Sequence, residues 1–150
     1  MEGNAEDHPT FQAGQAGWQT LFAAIDRRDA RSFAAFFALD AEFRFGNATP
    51  VEGRTAIAGA VAAFFDMIAA CEHRMTGSWE GPSSAVCEGR VTYTVAGGST
   101  VTLPFVNVLT TDGGHISSYR IYIDNGPLFA ALANAPTSHQ SSHRPALTQP

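Results

Sequence analysis

Two side chains on predicted strands are the strongest candidates for acid–base chemistry. Asp124 ends the last stretch of alternating apolar residues, and His73 lies near the start of the first long one. A carboxylate in an apolar pocket is a stronger base, and a nearby histidine could carry protons near neutral pH. Each also has a structural interpretation, because Asp124 could cap the loop at Asn125-Gly126 and His73 could be a satisfied core histidine.

Four further polar residues are candidates for holding a substrate. Arg90, Asn107 and Arg120 lie on predicted strands, and Asn47 lies in a turn-rich loop over the expected pocket mouth. Asn47 could instead be a turn former. Glu88 is within reach of Arg120 in the predicted register, so those two could form a structural ion pair.

The elements that must position these residues begin, in chain order, with three helical stretches. Residues 10–28 place apolar side chains on one side at helical spacing, and residues 31–38 and 54–70 predict two further helices. The alternating segment 42–45 predicts a strand between the second and third helices. The turn formers that follow it, up to Arg54, predict an irregular loop.

After residue 72 the apolar period changes to two, which predicts a run of strands. Glycine-rich breaks at residues 81–82, 97–98 and 112–114 predict hairpins between them. Helices followed by an antiparallel meander indicate an α+β fold rather than alternating βαβ units. The predicted strands span residues 72–80, 84–96, 99–111 and 115–124.

Two-residue hairpin loops would fix which side chains share a face of this sheet. One face then mixes polar and aromatic groups, a composition typical of a ligand pocket, although a solvated outer face is the alternative. The other face is aliphatic. The mixed face would hold His73, Met75, Trp79, Glu88, Arg90, Thr92, Leu103, Phe105, Asn107, Arg120, Tyr122 and Asp124. The aliphatic face would hold Val91, Tyr93, Val95, Val106, Val108, Tyr119, Ile121 and Ile123.

Composition narrows the class of protein. The 150 residues fit one domain, and 45% of them are apolar. A net charge of −5 with nine Lys and Arg argues against nucleic-acid binding. The sequence has no apolar run for a membrane span and no signal-peptide pattern at its acidic start, so we expect a cytoplasmic protein. Cys71 and Cys87 predict ordinary buried thiols, and no spacing predicts a metal site.

The boundaries follow from the same patterns. We expect a flexible segment over residues 1–9, a pocket domain over residues 10–134 and a disordered polar tail over residues 135–150.

Three segments carry a resemblance to a known superfamily: Trp18 to Asp29, Pro50 to Ile57, and Tyr119 to Asp124. In order and spacing they resemble the nuclear-transport-factor-2-like superfamily, which includes ketosteroid isomerases, limonene-type epoxide hydrolases and SnoaL-like polyketide cyclases. The resemblance implies a cystatin-like α+β barrel, with three N-terminal helices packed on a curved, mainly antiparallel sheet around a conical pocket. It also implies a homodimer through the convex sheet face.

The resemblance separates the possible activities. SnoaL-like cyclases and epoxide hydrolases place a functional carboxylate where Asp124 stands. The base of ketosteroid isomerases would fall near Phe45, which cannot accept a proton, and their oxyanion donor near Asn107. The Arg-x-Asp of the epoxide hydrolases is reduced here to Arg90 and Thr92, which lacks the acid.

We therefore expect a SnoaL-like enzyme that moves a proton on a small apolar carbonyl-containing metabolite, by cyclisation or isomerisation, without metal or organic cofactor. Asp124 would be the general base and His73 an auxiliary acid or base. A non-catalytic ligand-binding or dimerisation module is the alternative, followed by an epoxide hydrolase with an incomplete acid pair. The expected pocket residues are Trp18, Phe22, Phe45, Asn47, Phe64, Trp79, Arg90, Phe105, Asn107, Arg120 and Tyr122.

Overall fold

Four helices and six strands follow one another in a computed structural model that describes residues 8–136. The helices are α1 (Gln15–Asp26), α2 (Ala30–Ala34), α3 (Arg54–Met67) and α4 (Gly126–Asn134). The strands are β1 (Phe37–Phe45), β2 (Val51–Glu52), β3 (Ala70–Glu80), β4 (Ser84–Thr94), β5 (Thr100–Asp112) and β6 (His115–Tyr122). Most of the predicted flexible start and polar tail, residues 1–7 and 137–150, lies outside the described residues.

The strands form one sheet in the order β2-β1-β6-β5-β4-β3. All neighbours are antiparallel except β1 and β6, which run parallel. Helix α1 packs on β3, while α3 packs on β1 and α2. The predicted α+β class, with three early helices on a mainly antiparallel sheet, is confirmed.

Two elements differ from the sequence prediction. The second helix ends at Ala34, because the chain from Phe37 onwards pairs with β6, and the Ile116 N–H donates to the Phe36 carbonyl at 2.9 Å. Tertiary pairing outweighs the helical spacing of the phenylalanines there. Helix α4 was not predicted, although Pro127 suits the first turn of a helix and Leu128 is fully buried.

The turn between β4 and β5 sets the faces of the central strands. Its loop has three residues rather than two, since the Val95 N–H donates to the Ser99 carbonyl at 2.9 Å. Gly97 and Gly98 have φ values of +95° and +97°, which favour glycine. The added residue reverses which side chains of β4 face inward relative to the prediction. Asn107 therefore faces Cys87 instead of Glu88.

A β-bulge likewise reverses the side-chain directions along most of β6. Asp112 pairs with His115 as predicted, but the register shifts between Thr110 and Thr111. Asn107 then lies opposite Ile121, not Arg120. The side chains of β6 that were expected inside therefore point outward.

A second bulge, in β3, compensates at His73 for the reversal of β4. Near the hairpin the numbers of paired residues add up to an odd sum, as a two-residue loop predicts, with Trp79 opposite Val86. The register then shifts between Met75 and Gly77. His73 consequently pairs with Val91 rather than Arg90. The prediction that His73 lies on the inner face holds, whereas its predicted neighbour is wrong.

An aromatic cluster forms the centre of the core. Tyr119 is fully buried, and the ring of Phe33 meets it edge-on at 5.4 Å. Phe43 stacks on the same ring at 5.8 Å, and Trp18 lies 6.1 Å away. Burying each such side chain contributes about 1.5–3 kcal/mol, so this cluster anchors the helices to β1 and β6.

Asp29 caps helix α2, and its removal should weaken the protein measurably. Its Oδ1 accepts from the Ser32 N–H at 3.0 Å, and its Oδ2 accepts from the Ser32 hydroxyl at 2.7 Å. These bonds lower the pKa of Asp29. We expect Asp29→Ala to reduce the free energy of unfolding by about 1 kcal/mol in urea denaturation. Asp29→Asn, which keeps an accepting oxygen, should lose much less, and equal losses would contradict the capping role.

The two buried thiols should make stability fall at alkaline pH. Burial raises the pKa of Cys71 and of Cys87 from 9.0 to about 12, with the charge of Asp26 adding to the effect at Cys71. Their contribution to stability is complete below pH 9 and is lost as pH rises toward 12. We expect the free energy of unfolding to fall over that range, and less steeply in Cys87→Ala. Equal slopes in the two proteins would refute the assignment.

Candidate active site

A cavity of about 210 Å³ lies between the sheet and the helices. Its wall is mostly aromatic and aliphatic, and no Asp, Glu, Lys or Arg of the described residues lines it. A charged ligand would lose its hydration there without compensation, so the cavity suits a small neutral molecule. The lining residues are Ile25, Phe33, Phe43, Phe45, Ala48, Thr49, Val51, Ala60, Val61, Phe64, Phe65, His73, Val91, Tyr93, Phe105, Asn107, Tyr119, Ile121 and Ile123.

His73 is the titratable wall residue with a charged partner. Its Nδ1 lies 2.6 Å from Oδ1 of Asp26, the last residue of α1. The other oxygen of Asp26 accepts the backbone N–H of His73 at 3.0 Å. The side chain of His73 is 9% exposed and that of Asp26 27%. One carboxylate therefore fixes both the backbone and the ring of the histidine.

Two aromatic rings hold the imidazole in place. Phe22 stacks on His73 with ring centres 4.5 Å apart and planes 9° from parallel. Phe105 meets the imidazole edge-on at 5.4 Å. With Nδ1 directed at Asp26, Nε2 is the nitrogen left for a ligand, and it has no hydrogen-bond partner among residues 8–136. The arrangement can accept or donate a proton at the cavity wall.

Cys71 completes a group of three possible metal ligands. A ligand atom from each of Asp26, Cys71 and His73 lies within 4.8 Å of the others. The Cys71 thiol donates weakly to Asp26 Oδ1 at 3.7 Å, and burial together with that carboxylate raises its pKa to about 12. The short contact between Asp26 Oδ1 and His73 Nδ1 is a hydrogen bond, so in this structure the carboxylate orients the histidine.

Two tyrosines and an asparagine supply the other strong polar groups of the wall. Burial raises the pKa of Tyr93 and of Tyr119, so both remain protonated hydroxyl groups. Asn107 donates from Nδ2 to the Tyr119 hydroxyl at 3.1 Å. Its Oδ1 is buried and has no hydrogen-bond partner among residues 8–136. Leaving such an oxygen unpaired costs about 1–3 kcal/mol.

Four of the predicted pocket residues and the predicted acid–base residue His73 line this cavity, and two further predicted residues pack behind it. Phe45, Phe64, His73, Phe105 and Asn107 are wall residues. Trp18 and Phe22 are buried in the core, and Phe22 reaches the site through its contacts with His73 and Phe105.

The predicted inward position of Asp124 is wrong. Its side chain is exposed on the far side of the sheet, where Oδ1 accepts the Gly126 N–H at 3.1 Å. This is the loop-capping arrangement that the sequence left open. The bulge in β6 is the physical reason, because it reverses the direction of every side chain that follows it along the strand.

The remaining predicted pocket residues also lie outside the cavity. The longer β4–β5 loop turns Glu88, Arg90 and Thr92 outward, and the β6 bulge does the same for Arg120 and Tyr122. Arg120 contacts the Ser118 hydroxyl at 3.5 Å and does not pair with Glu88 in the described residues. Trp79 and Asn47 are exposed.

Sequence reasoning missed Asp26, although a signal was present. Asp26 is four residues after Phe22 and eight after Trp18, so it continues the buried side of α1. An acid on an apolar stripe needs a polar partner inside the fold. Tyr93, Tyr119 and Ile121 were missed because the predicted register placed them outside.

Comparisons with known proteins agree with this architecture. The family description "SnoaL-like domain" matches residues 18–119. No curated protein matches the chain in sequence.

Among solved structures, TerC co-crystallised with polyporic acid is 17% identical with a TM-score of 0.67, covering 78% of this chain and 95% of TerC. A Catenulispora acidiphila protein with a ketosteroid-isomerase-like fold, in complex with trimethylamine, is 20% identical with a TM-score of 0.70, and the match covers 79% of this chain and 92% of that protein. A candidate polyketide cyclase from Xanthomonas campestris is 19% identical with a TM-score of 0.68, and the match covers 77% of this chain and 93% of the cyclase. The chain belongs to the SnoaL-like domain family and has the cone-shaped fold of the nuclear-transport-factor-2 and ketosteroid-isomerase group.

Proposed function

We propose that the protein catalyses proton transfer on a small, neutral, carbonyl-containing metabolite, with His73 as the acid–base residue and Asp26 as its partner. The observation that carries this proposal is the 2.6 Å contact between Asp26 Oδ1 and His73 Nδ1 at the wall of an apolar cavity. The reaction type is the cyclisation or isomerisation expected from the sequence, but the base differs.

The pair can move a proton in two steps. Nδ1 keeps its hydrogen bonded to Asp26, so Nε2 carries the lone pair that takes a proton from carbon next to a carbonyl group. Asp26 then stabilises the imidazolium, since its carboxylate lies next to the positive charge. The reverse transfer returns the proton to another atom of the ligand.

The cavity can stabilise the charge that forms on the ligand. Removing that proton places negative charge on the carbonyl oxygen, and a protonated hydroxyl of Tyr93 or Tyr119 can donate to it. The apolar wall strengthens these interactions by excluding water. The relative TerC was crystallised with polyporic acid, which supports a small organic ligand for this chain as well.

A non-catalytic binding module is the second candidate, because His73 is the one histidine of the described cavity wall and no Asp, Glu, Lys or Arg among the described residues lines it. Epoxide opening of the limonene type has less support, since it needs two acids and no carboxylate lines the cavity in residues 8–136.

The acid–base role can be measured as hydrogen exchange. We expect the protein in D₂O to accelerate exchange of the hydrogens next to the carbonyl group of 1-indanone, a compact neutral ketone, followed by proton NMR. His73→Gln and Asp26→Asn should each lower that rate by about 100-fold or more, because one removes the base and the other removes its orientation and charge partner.

Asp124→Asn is the matched control, since it removes an exposed carboxylate and should leave the exchange rate unchanged. Full loss of exchange in Asp124→Asn, or full activity in His73→Gln, would overturn the assignment. Binding of 1-indanone without exchange by the parent protein would favour the binding module.

We also propose that the protein forms a homodimer through the outer face of the sheet. The aliphatic face of the sequence analysis does not lie there, because Val91, Tyr93, Tyr119 and Ile121 line the cavity. The outer face instead presents Trp79 and Tyr122, both more than half exposed, around half-buried valines. Exposed aromatic residues with apolar neighbours are typical of interface centres.

Sedimentation at micromolar concentration tests the dimer. We expect the parent protein to sediment as a dimer and Trp79→Glu/Tyr122→Glu as a folded monomer, because two charges would be buried without partners. Met67→Glu on α3 changes another exposed apolar residue, 47% exposed and away from this face, and should remain dimeric. A monomeric parent protein would disprove the proposal.

A further inference from the structure

We propose that Asn107 selects ligands that carry a hydroxyl group, whose hydrogen is donated to the Asn107 amide oxygen. This inference deepens the proposed function and rests on binding in the same cavity, but it does not depend on catalysis. It assigns the ligand a second polar contact, separate from the one with His73.

Asn107 is a polar residue at a buried position that would suit an apolar side chain. It is 2% exposed in the middle of β5, between Cys87 and Ile121 on the neighbouring strands. Those neighbours offer an apolar side chain and a thiol with a raised pKa. A leucine at this position would fill similar space without burying a polar group.

The amide is half satisfied. Nδ2 donates to the Tyr119 hydroxyl at 3.1 Å, while Oδ1 is buried without a hydrogen-bond partner in the part of the chain that the structure describes. The tyrosine oxygen already accepts that bond, so its own hydrogen must go elsewhere. Native proteins seldom leave a buried amide oxygen unpaired, and a ligand at the cavity wall can supply the missing donor.

The wall around Asn107 defines the rest of the ligand. Six phenylalanines line the cavity and suit a flat apolar body, and no charged residue among those described faces it. The ligand class is therefore a compact, neutral aromatic or alicyclic compound with a hydroxyl donor. The six are Phe33, Phe43, Phe45, Phe64, Phe65 and Phe105.

Three naphthalenes of similar size separate the possible contacts. 2-Naphthol can donate and accept a hydrogen bond, 2-methoxynaphthalene can only accept, and 2-methylnaphthalene can do neither. Equilibrium dialysis with detection of naphthalene fluorescence gives each dissociation constant without turnover. We expect the parent protein to bind 2-naphthol about 10- to 100-fold more tightly than either of the other two.

Asn107→Leu should abolish that preference and still bind 2-methylnaphthalene, which also shows that the variant keeps its cavity. Equal binding of all three compounds by the parent protein would overturn the inference without any variant. A preference for 2-naphthol that persists in Asn107→Leu would also overturn it, since another group of the wall would then accept the hydroxyl hydrogen. These outcomes are separate from the proposed catalysis, because a preference for 2-naphthol can persist in a protein that exchanges no hydrogen.

Discussion

The pairing of β5 with its two neighbours is the constraint on which the site depends. Because side chains alternate between the faces of a strand, the registers of β4 and β6 against β5 decide which residues meet inside. The three-residue loop after β4 and the bulge in β6 bring Val91 and Ile121 to the inner face beside Phe105 and Asn107. The result is a hollow with an apolar wall and few polar groups.

Because the wall is largely apolar, its few polar groups determine how a ligand is oriented. His73 is kept in one orientation by its hydrogen bond to Asp26 and by the rings of Phe22 and Phe105 that pack against it. The carboxylate reaches the site from the end of α1, so the acid and the histidine come from different layers of the fold. Packing of α1 on β3 therefore assembles the pair, and the cavity and its chemistry form together.

The sequence predicted the architecture well and the faces of the sheet poorly. Apolar spacing identifies α1, α3, the end of β1 and the four strands after α3, because it reflects which residues are buried whatever their partners. Side-chain direction depends on whether each hairpin loop has an odd or an even number of residues, and the third residue of the Ala96-Gly97-Gly98 loop reverses it. The bulges in β3 and β6 have no distinct local sequence signal. Asp124 and Arg120 were misplaced for that reason, whereas His73 kept its predicted face.

The central claim is that Asp26 holds His73 with a proton on Nδ1 and leaves Nε2 free for the ligand. Two-bond ¹H–¹⁵N correlation spectra of the imidazole measure this most directly. The account predicts the Nδ1-protonated form of His73 in the parent protein, loss of that preference in Asp26→Asn, and a change in the Nε2 resonance when a neutral ligand is added. An Nε2-protonated ring that is the same in both proteins and does not respond to ligand would contradict it.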